Sequence, residues 1–279
     1  MAINIEKARA YVDADIATYL DPEVGYPANH FAFLKGNERF HANGVQSLIE
    51  VGVGHGNAIP VFTAEGFTVA GFDHKPELVA ESKVMSADFG QDPEYIILAD
   101  IEDATSYSTI YNAGDFDALV AMGVMPHVDN EELSLRNMAA LLKPGGEVLI
   151  EYRNSMFSLF TFNRFTHEFI LEDLLSNVSS DSRAIVDSTL RGKFDVTKPA
   201  PASSKFHNPF EVEKQFAELG FTDIEILPFH YHAMLPSVES QNPEVFRRDS
   251  IALESEDSGW KGLFLCSAYV VHAKTPVDS

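Results

Sequence analysis

The chain has 279 residues, 45% of them hydrophobic and 22% charged, enough for a sizeable core in one domain carrying an insertion or cap. Forty-two acids against 20 bases give a formal charge of −22, spread along the chain with no Lys/Arg cluster to offset it, so a nucleic-acid substrate is not expected. A lone cysteine, Cys266, excludes an internal disulfide and reads as a core thiol. The absence of a basic leader and of an apolar run of about 18 residues predicts no membrane association and a cytoplasmic location.

In chain order, residues 1–45 read as an N-terminal helical segment that closes the site, with Tyr11 and Tyr19 as candidate contacts. Gln46–Val51 is a first strand that passes through Glu50 and runs into Gly52-Val53-Gly54-His55-Gly56-Asn57. Glycine at alternate positions lets a turn approach a ligand where any Cβ would collide. A helix over Asn57–Glu65 leads to a second strand, Thr68–Asp73, whose terminal carboxylate stands where a doubly wound sheet grips a ribose hydroxyl pair. Further elements are a helix over Pro76–Ala87, strands Glu94–Asp100 and Phe116–Gly123, a helix over Glu131–Leu142 ended by Lys143-Pro144-Gly145-Gly146, and a fifth strand, Glu147–Tyr152. Such alternation predicts a parallel sheet covered on both faces.

The rhythm breaks over residues 154–207, too long for a plain loop and carrying Phe157, Phe160, Phe162, Phe165 and Phe169 before Pro199-Ala200-Pro201. We read this stretch as an inserted aromatic cap whose inner face also walls a pocket. The core resumes over 208–279 with a helix from Asn208-Pro209-Phe210 to Leu219, a sixth strand at Asp223–Pro228 and a seventh at Gly262–Lys274, paired as a hairpin. The predicted fold class is α/β: a doubly wound, seven-stranded Rossmann-like sheet of six parallel strands plus an antiparallel seventh, with the cap after strand five. Residues 46–153 form its cofactor-binding core.

Dinucleotide-binding turns follow G-x-G-x-x-G, whereas here the glycines fall at 52, 54 and 56 and position 57 is Asn. The E-x-G-x-G-x-G pattern resembles motif I of the class I S-adenosylmethionine (SAM) dependent methyltransferases. Asp100-Ile101-Glu102 after strand three, the run Phe116–Val128, and Leu141-Leu142-Lys143-Pro144-Gly145-Gly146-Glu147-Val148-Leu149-Ile150 extend the resemblance. It covers residues 46–153 well and 208–274 loosely. Phe206-His207-Asn208-Pro209-Phe210 and Phe229-His230-Tyr231-His232 also resemble methyltransferases of surface glycans and secondary metabolites.

The resemblance implies S-adenosyl-L-methionine as cofactor and S-adenosyl-L-homocysteine as product. It implies that the backbone around Gly52, Gly54 and Gly56 holds the methionine portion, with Glu50 orienting the turn or the amino end. Asp73 would take the ribose hydroxyls, His74 flank the adenine, Asp100 accept from the adenine amino group and the Ile101 backbone recognise the ring. Met122 and Gly123 would line the sulfonium side. His55-Gly56-Asn57 departs from the family's small residue followed by Thr or Ser.

Methyl transfer from a sulfonium is an in-line displacement with a neutral leaving group, so alignment and exclusion of water are what it requires, plus a base where the nucleophile carries a proton. His127, after strand four, is the first candidate for base or orienting group, although a loop histidine bonded to backbone reads equally well. Arg153 suits an acceptor carboxylate or phosphate, or a surface acid. His207, His230 and His232 flank strand six; the last two share a strand face, but without a clear third ligand no metal is expected. The favoured reading is methylation of a small-molecule oxygen, possibly on a sugar or secondary metabolite, ahead of nitrogen. The alternatives are an NAD(P)-dependent oxidoreductase on the same fold, a non-catalytic SAM-binding module, or an enzyme acting on protein.

Overall fold

A computed structural model describes residues 3–19, 28–194, 196, 205–255 and 259–277. Two helices lead, α1 (Ile5–Tyr19) and α2 (Ala28–Ala42). The alternating unit follows as β1 (Ser47–Val51), α3 (Ala58–Ala64), β2 (Thr68–Asp73), α4 (Pro76–Asp88), β3 (Ile96–Leu98), β4 (Phe116–Ala121), α5 (Glu131–Ala140) and β5 (Leu142–Arg153). Beyond β5 come α6 (Ser158–Thr161), α7 (Arg164–Glu168), a π-helical stretch at Phe169–Leu174 and α8 (Ser180–Arg191). The chain continues through α9 (Pro209–Glu218), β6 (Thr222–Tyr231), α10 (Pro243–Glu254), α11 (Gly262–Leu265) and β7 (Cys266–Lys274).

All seven strands join one sheet in the order β3-β2-β1-β4-β5-β7-β6. β1 to β5 pair in parallel, and β7 pairs antiparallel to β5 and β6, so six strands run one way and one against them, as the sequence predicts. The alternation of strand side chains sorts the core into two layers. Leu48, Val69, Val120, Leu149 and Val270 meet Phe33 and Phe40 of α2 and Ile59 and Phe62 of α3. Ile49, Leu119, Val148, Ile150 and Val271 meet Leu135 and Met138 of α5 and Val212 and Phe216 of α9.

Four expectations are corrected. β6 and β7 are not joined by a turn: α10 and α11 intervene, and β7 lies between β5 and β6. The seventh strand starts at Cys266 because Gly262–Leu265 is a helical turn, held by Asn154 Nδ2, which donates to the carbonyls of Leu263 (2.6 Å) and Cys266 (2.8 Å). Lys143–Gly146 does not stand outside β5 but bulges within it, since the register on β4 jumps from Phe116↔Leu142 to Ala118↔Glu147. Tyr11 does not reach the carboxyl edge of the sheet; its ring sits on Phe89 with centroids 5.3 Å apart, beside the end of α4. The Tyr19 side chain, Tyr26 and Pro199-Ala200-Pro201 lie outside the described residues.

The cap phenylalanines do not form a single core. Phe157 and Phe169 are buried, Phe165 meets the Phe206 ring at 5.3 Å, and Phe162 is 55% exposed with φ +51°. Burial of Cys266 raises its thiol pKa well above the ordinary range, consistent with a core role. Among the described residues no helix is long and apolar enough to cross a membrane.

Phe216 carries the α9 side of the sheet, fully buried against Tyr152 and Phe221. Phe216→Ala is expected to cost about 3–5 kcal/mol of stability by denaturant titration.

Candidate active site at the carboxyl edge of the sheet

The turn after β1 is built on left-handed backbone: Gly52, Gly54 and Gly56 have φ of +73°, +53° and +80°. The amides of Gly52 and Val53 donate to the Phe72 carbonyl at 2.9 and 3.0 Å, fastening the turn to the end of β2. The Gly54 amide donates to Asp73 Oδ2 at 3.1 Å and the Lys75 amide to Asp73 Oδ1 at 2.9 Å, so the buried Asp73 carboxylate is fixed by two backbone donors. The three glycines do different jobs. A Cβ on Gly52 would stand 2.6 Å from Val124 Cγ2, and one on Gly56 would stand 3.1 Å from Ser82 and Met85 of α4, while Gly54 contributes its amide.

A cavity of about 380 Å³ opens above this turn. It brings together Gly52, Asp73, His74, Asp100, Ile101, Met122, Gly123 and His127, all singled out in the sequence. Its wall also includes Lys75, Leu78, Glu102 and Asp129, which the sequence reading did not assign to the site. Glu102 is the structural member of that set: its carboxylate accepts from the amides of Asp129 (2.8 Å) and Asn130 (2.6 Å), tying the loop after β3 to the loop after β4. The available signal was its place in Asp100-Ile101-Glu102 and the N-cap at Asn130, whose Oδ1 accepts from Leu133.

Gly54, Gly56 and Glu50 stand behind the lining. Glu50 is 4% exposed and its Oε2 has no hydrogen-bond partner among the described residues. Burial, reinforced by the charge of Asp73, pushes its pKa from the ordinary 4.5 up to about 8. At the end of β5, Glu151 Oε2 accepts from the Gly123 amide at 2.7 Å; burial raises this carboxyl, and the Gly123 bond and Arg153 pull it partly back.

The five catalytic candidates separate. His127 is exposed on the cavity wall, its amide donating to the Val124 carbonyl at 2.9 Å. Arg153 ends β5, half-buried. His207 is held away from the cavity, with Nε2 3.0 Å from Glu131 Oε1 and its ring edge-on to Tyr152 at 5.0 Å; the histidine bond holds Glu131 below the ordinary carboxylate range. His230, in β6, and His232, just beyond its end, lie side by side with ring centroids 4.8 Å apart. His230 Nδ1 meets Ser267 Oγ at 2.9 Å, His232 Nδ1 meets Glu239 Oε1 at 2.5 Å, and burial pushes both imidazoles down to about 4.

The fold and the cavity define an α/β enzyme of the class that binds an adenosyl cofactor over the carboxyl ends of the strands. The chain belongs to a methyltransferase family, whose domain model matches residues 20–226, and it is a SAM-dependent methyltransferase. A ubiquinone biosynthesis O-methyltransferase of Vibrio parahaemolyticus is 28% identical over 189 residues, 68% of this chain and 69% of that protein. The enzyme of the same name from Xanthomonas axonopodis pv. citri is 31% identical over 107 residues, so the match spans 38% of this chain and 43% of that one. Among solved structures, the DszA carbon methyltransferase superimposes with a TM-score of 0.52 at 14% identity, covering 90% of this chain and 55% of that one, which shows likeness of fold. Family membership answers the choice between SAM and a nicotinamide cofactor in favour of SAM.

Two outcomes are expected. Gly52→Ala, which drives a Cβ into Val124 and strains a left-handed residue, should weaken SAM binding at least tenfold by calorimetry, and Val124→Ala in the same chain should recover part of the loss. For Glu50, a folded pKa of about 8 against 4.5 unfolded means that its stabilising contribution is complete below pH 4.5 and is lost as pH rises through about 8. The ligand-free Glu50→Gln protein should therefore lose less stability than the parent between pH 5 and 8.5, measured by denaturant midpoints.

Proposed function

We propose that the enzyme moves the methyl group of SAM to an oxygen of a small-molecule acceptor, with His127 as the base. The observation that carries the reading is one cavity lined by the anchored Asp73 together with Asp100, Ile101, Gly52, Met122, Gly123 and His127. The residues fit the cofactor. A Cβ at Gly52 is barred by Val124, and the buried Glu50, two residues before that glycine, has an oxygen without a partner among the described residues.

In this reading Asp73 accepts from the ribose hydroxyls with lone pairs left over from its two amide bonds, and His74 flanks the adenine. Asp100 takes the adenine amino group, and the Ile101 backbone reads the ring edge. The glycine turn takes the methionine portion. SAM supplies an activated methyl on a positively charged sulfur, and the departing sulfur is neutral. The protein's task is then to align the acceptor, keep water out and remove a hydroxyl proton at His127 Nε2 or Nδ1, a role suited to an imidazole ring with a free nitrogen lone pair.

Sheet order supports His127 over the other histidines. The end of β6 lies three inter-strand spacings from β4, roughly 14 Å, which is beyond the reach of a base acting on a hydroxyl in contact with the methyl group. His230 and His232, packed with Phe157 and Phe246, are assigned to the outer wall of the acceptor space, and Arg153, one strand from β4, to orienting an acidic group on the acceptor. His207 is assigned a structural role with Glu131. Oxygen rather than nitrogen is favoured by the available base and by the O-methyltransferase names of the relatives.

The test is transfer of labelled methyl from SAM to a panel of phenols, catechols, sugars and amines. Methylated hydroxyl products support the reading, and products formed only on amines overturn its acceptor atom. On an acceptor so found, His127→Ala should lower kcat by about 100-fold or more with the SAM Kd unchanged, whereas Asp73→Ala should abolish SAM binding in the calorimeter.

A further inference from the structure

The cap holds a buried charge that the reading so far leaves unused. Arg164, at the start of α7, is 7% exposed, and a guanidinium cannot shed its charge. Its Nη1 donates to Glu168 Oε1 at 3.3 Å, longer than the ordinary N–H···O range, and its Nη2 has no hydrogen-bond partner among the described residues. A buried cation paired this loosely is unfavourable until an anion completes its shell. Contacts lead from Arg164 to the wall of the cavity. The guanidinium lies over the Phe165 ring, 4.3 Å from its centroid, and that ring packs on Phe206 at 5.3 Å. Lys205, next in the chain to Phe206, donates from Nζ to the Val128 carbonyl at 2.6 Å, and Val128 lines the cavity beside His127. The turn after β5 is tied to the same place. The Ser155 amide donates to the His207 carbonyl at 3.0 Å, and the Ser158 carbonyl accepts from Thr166 Oγ1 of α7 at 2.7 Å. Ser155 Oγ is buried there and also lacks a partner among the described residues. A guanidinium and a hydroxyl, both able to donate, are thus left without an acceptor where the cap meets the cavity.

We propose that Arg164 is the receptor for an oxyanion carried by the methyl acceptor, a carboxylate or a phosphate, with Ser155 Oγ as a second donor. The inference rests on the reading of the cavity as the SAM site, with the acceptor on its His127 side. The guanidinium fork matches the paired oxygens of either group, and Phe165 and Phe206 supply an apolar surface for the part of the acceptor next to it. Glu168 holds the place in the meantime. Its side chain is 43% exposed, so it can turn out to water and yield Nη1 to the ligand. A formal charge of −22 repels anions at long range, and a buried, preformed cation is what recognition of one then requires. Arg153, at the end of β5 beside the Glu151 carboxylate, addresses the acceptor from the sheet, and Arg164 addresses it from the cap. An acceptor without the anion leaves the guanidinium unmatched, which makes Arg164 a specificity-determining residue.

The experiment is calorimetric titration of the full chain, first loaded with S-adenosylhomocysteine. The probes are benzoate, phenylacetate and 4-hydroxycinnamate, each against its carboxamide, and phenyl phosphate. In the parent an acid should bind about tenfold or more tighter than its amide, the contribution of one charge-assisted bond, and Arg164→Gln should remove that preference. Glu168→Gln takes away the competing carboxylate, so it should strengthen acid binding severalfold and leave the amide unchanged. That variant decides the matter even where Arg164→Gln fails to fold: an Arg164–Glu168 pair that is merely structural gives no gain in acid binding, and this result overturns the proposal. Equal binding of acid and amide, or no binding of any acid or of phenyl phosphate, overturns it as well and leaves the SAM site standing. An acid preference that survives Arg164→Gln overturns the assignment to Arg164 and returns the anion to Arg153. Given the preference, phenyl phosphate binding tighter than the acids supports phosphate as the oxyanion, and the reverse order supports carboxylate. No heat in the loading step overturns the SAM site, and the acid–amide comparison on the unloaded chain then decides the oxyanion site by itself.

Discussion

The site depends on one fastening: the Gly54 amide bonded to Asp73 Oδ2, with Gly52 and Val53 bonded to the Phe72 carbonyl beside it. These bonds join the ends of β1 and β2, so the ligand-facing turn and the ribose carboxylate form one rigid piece. Close approach makes this possible. A Cβ on Gly71 would stand 2.9 Å from the Glu50 carbonyl, and the left-handed residues of the turn let its amides point at Asp73 and not along a helix. From there the constraint spreads through Val124 to the loop after β4, and through Glu102 to the loop after β3.

A chain with a formal charge of −22 places five further carboxylates at or behind this cavity, those of Asp100, Glu102, Asp129, Glu50 and Glu151, yet it surrounds them with few cations. Backbone amides do the work. Asp100 Oδ1 accepts from the Glu102 amide at 2.9 Å, Glu102 from Asp129 and Asn130, and Glu151 from Gly123. Amide donors fix a carboxylate without adding a mobile charged side chain and without neutralising the local field, which suits a site meant for a positively charged ligand. Glu50 is the member of this group with an orphaned oxygen, and its pKa is displaced to match.

The core over residues 46–153 was legible because its signals are backbone constraints written as residue identity. Glycines at 52, 54 and 56 mark φ values that other residues avoid, and the acid at 73 marks a strand end. What was not legible arises between distant positions. The partner of His207 is Glu131, 76 residues away, a contact between loop and helix that local sequence does not report. The Asn154 bonds to Leu263 and Cys266 hold the helical turn that delays the start of β7 to Cys266 although the apolar run begins earlier, and no periodicity reports such a bond. The phenylalanines after residue 154 promised one core, whereas α6, α7 and the π-helical stretch turn some of them outward.

The strand order has a consequence for how the molecule is assembled. Among the described residues β6 pairs with β7 alone, and β7 sits between it and β5, so the earlier strand in the chain depends on the later one for its place in the sheet. Without Cys266–Lys274 in that gap, β6 and its covering helix α9 have no strand to join, whereas β1 to β5 pair among themselves. Placing β7 is a non-local contact that closes two ladders at once, the kind of contact whose loop-closure entropy opposes it until its hydrogen bonds form. The glycine turn and Asp73 belong to the locally connected part of the sheet, whereas its far edge depends on a strand contributed by the last described part of the chain.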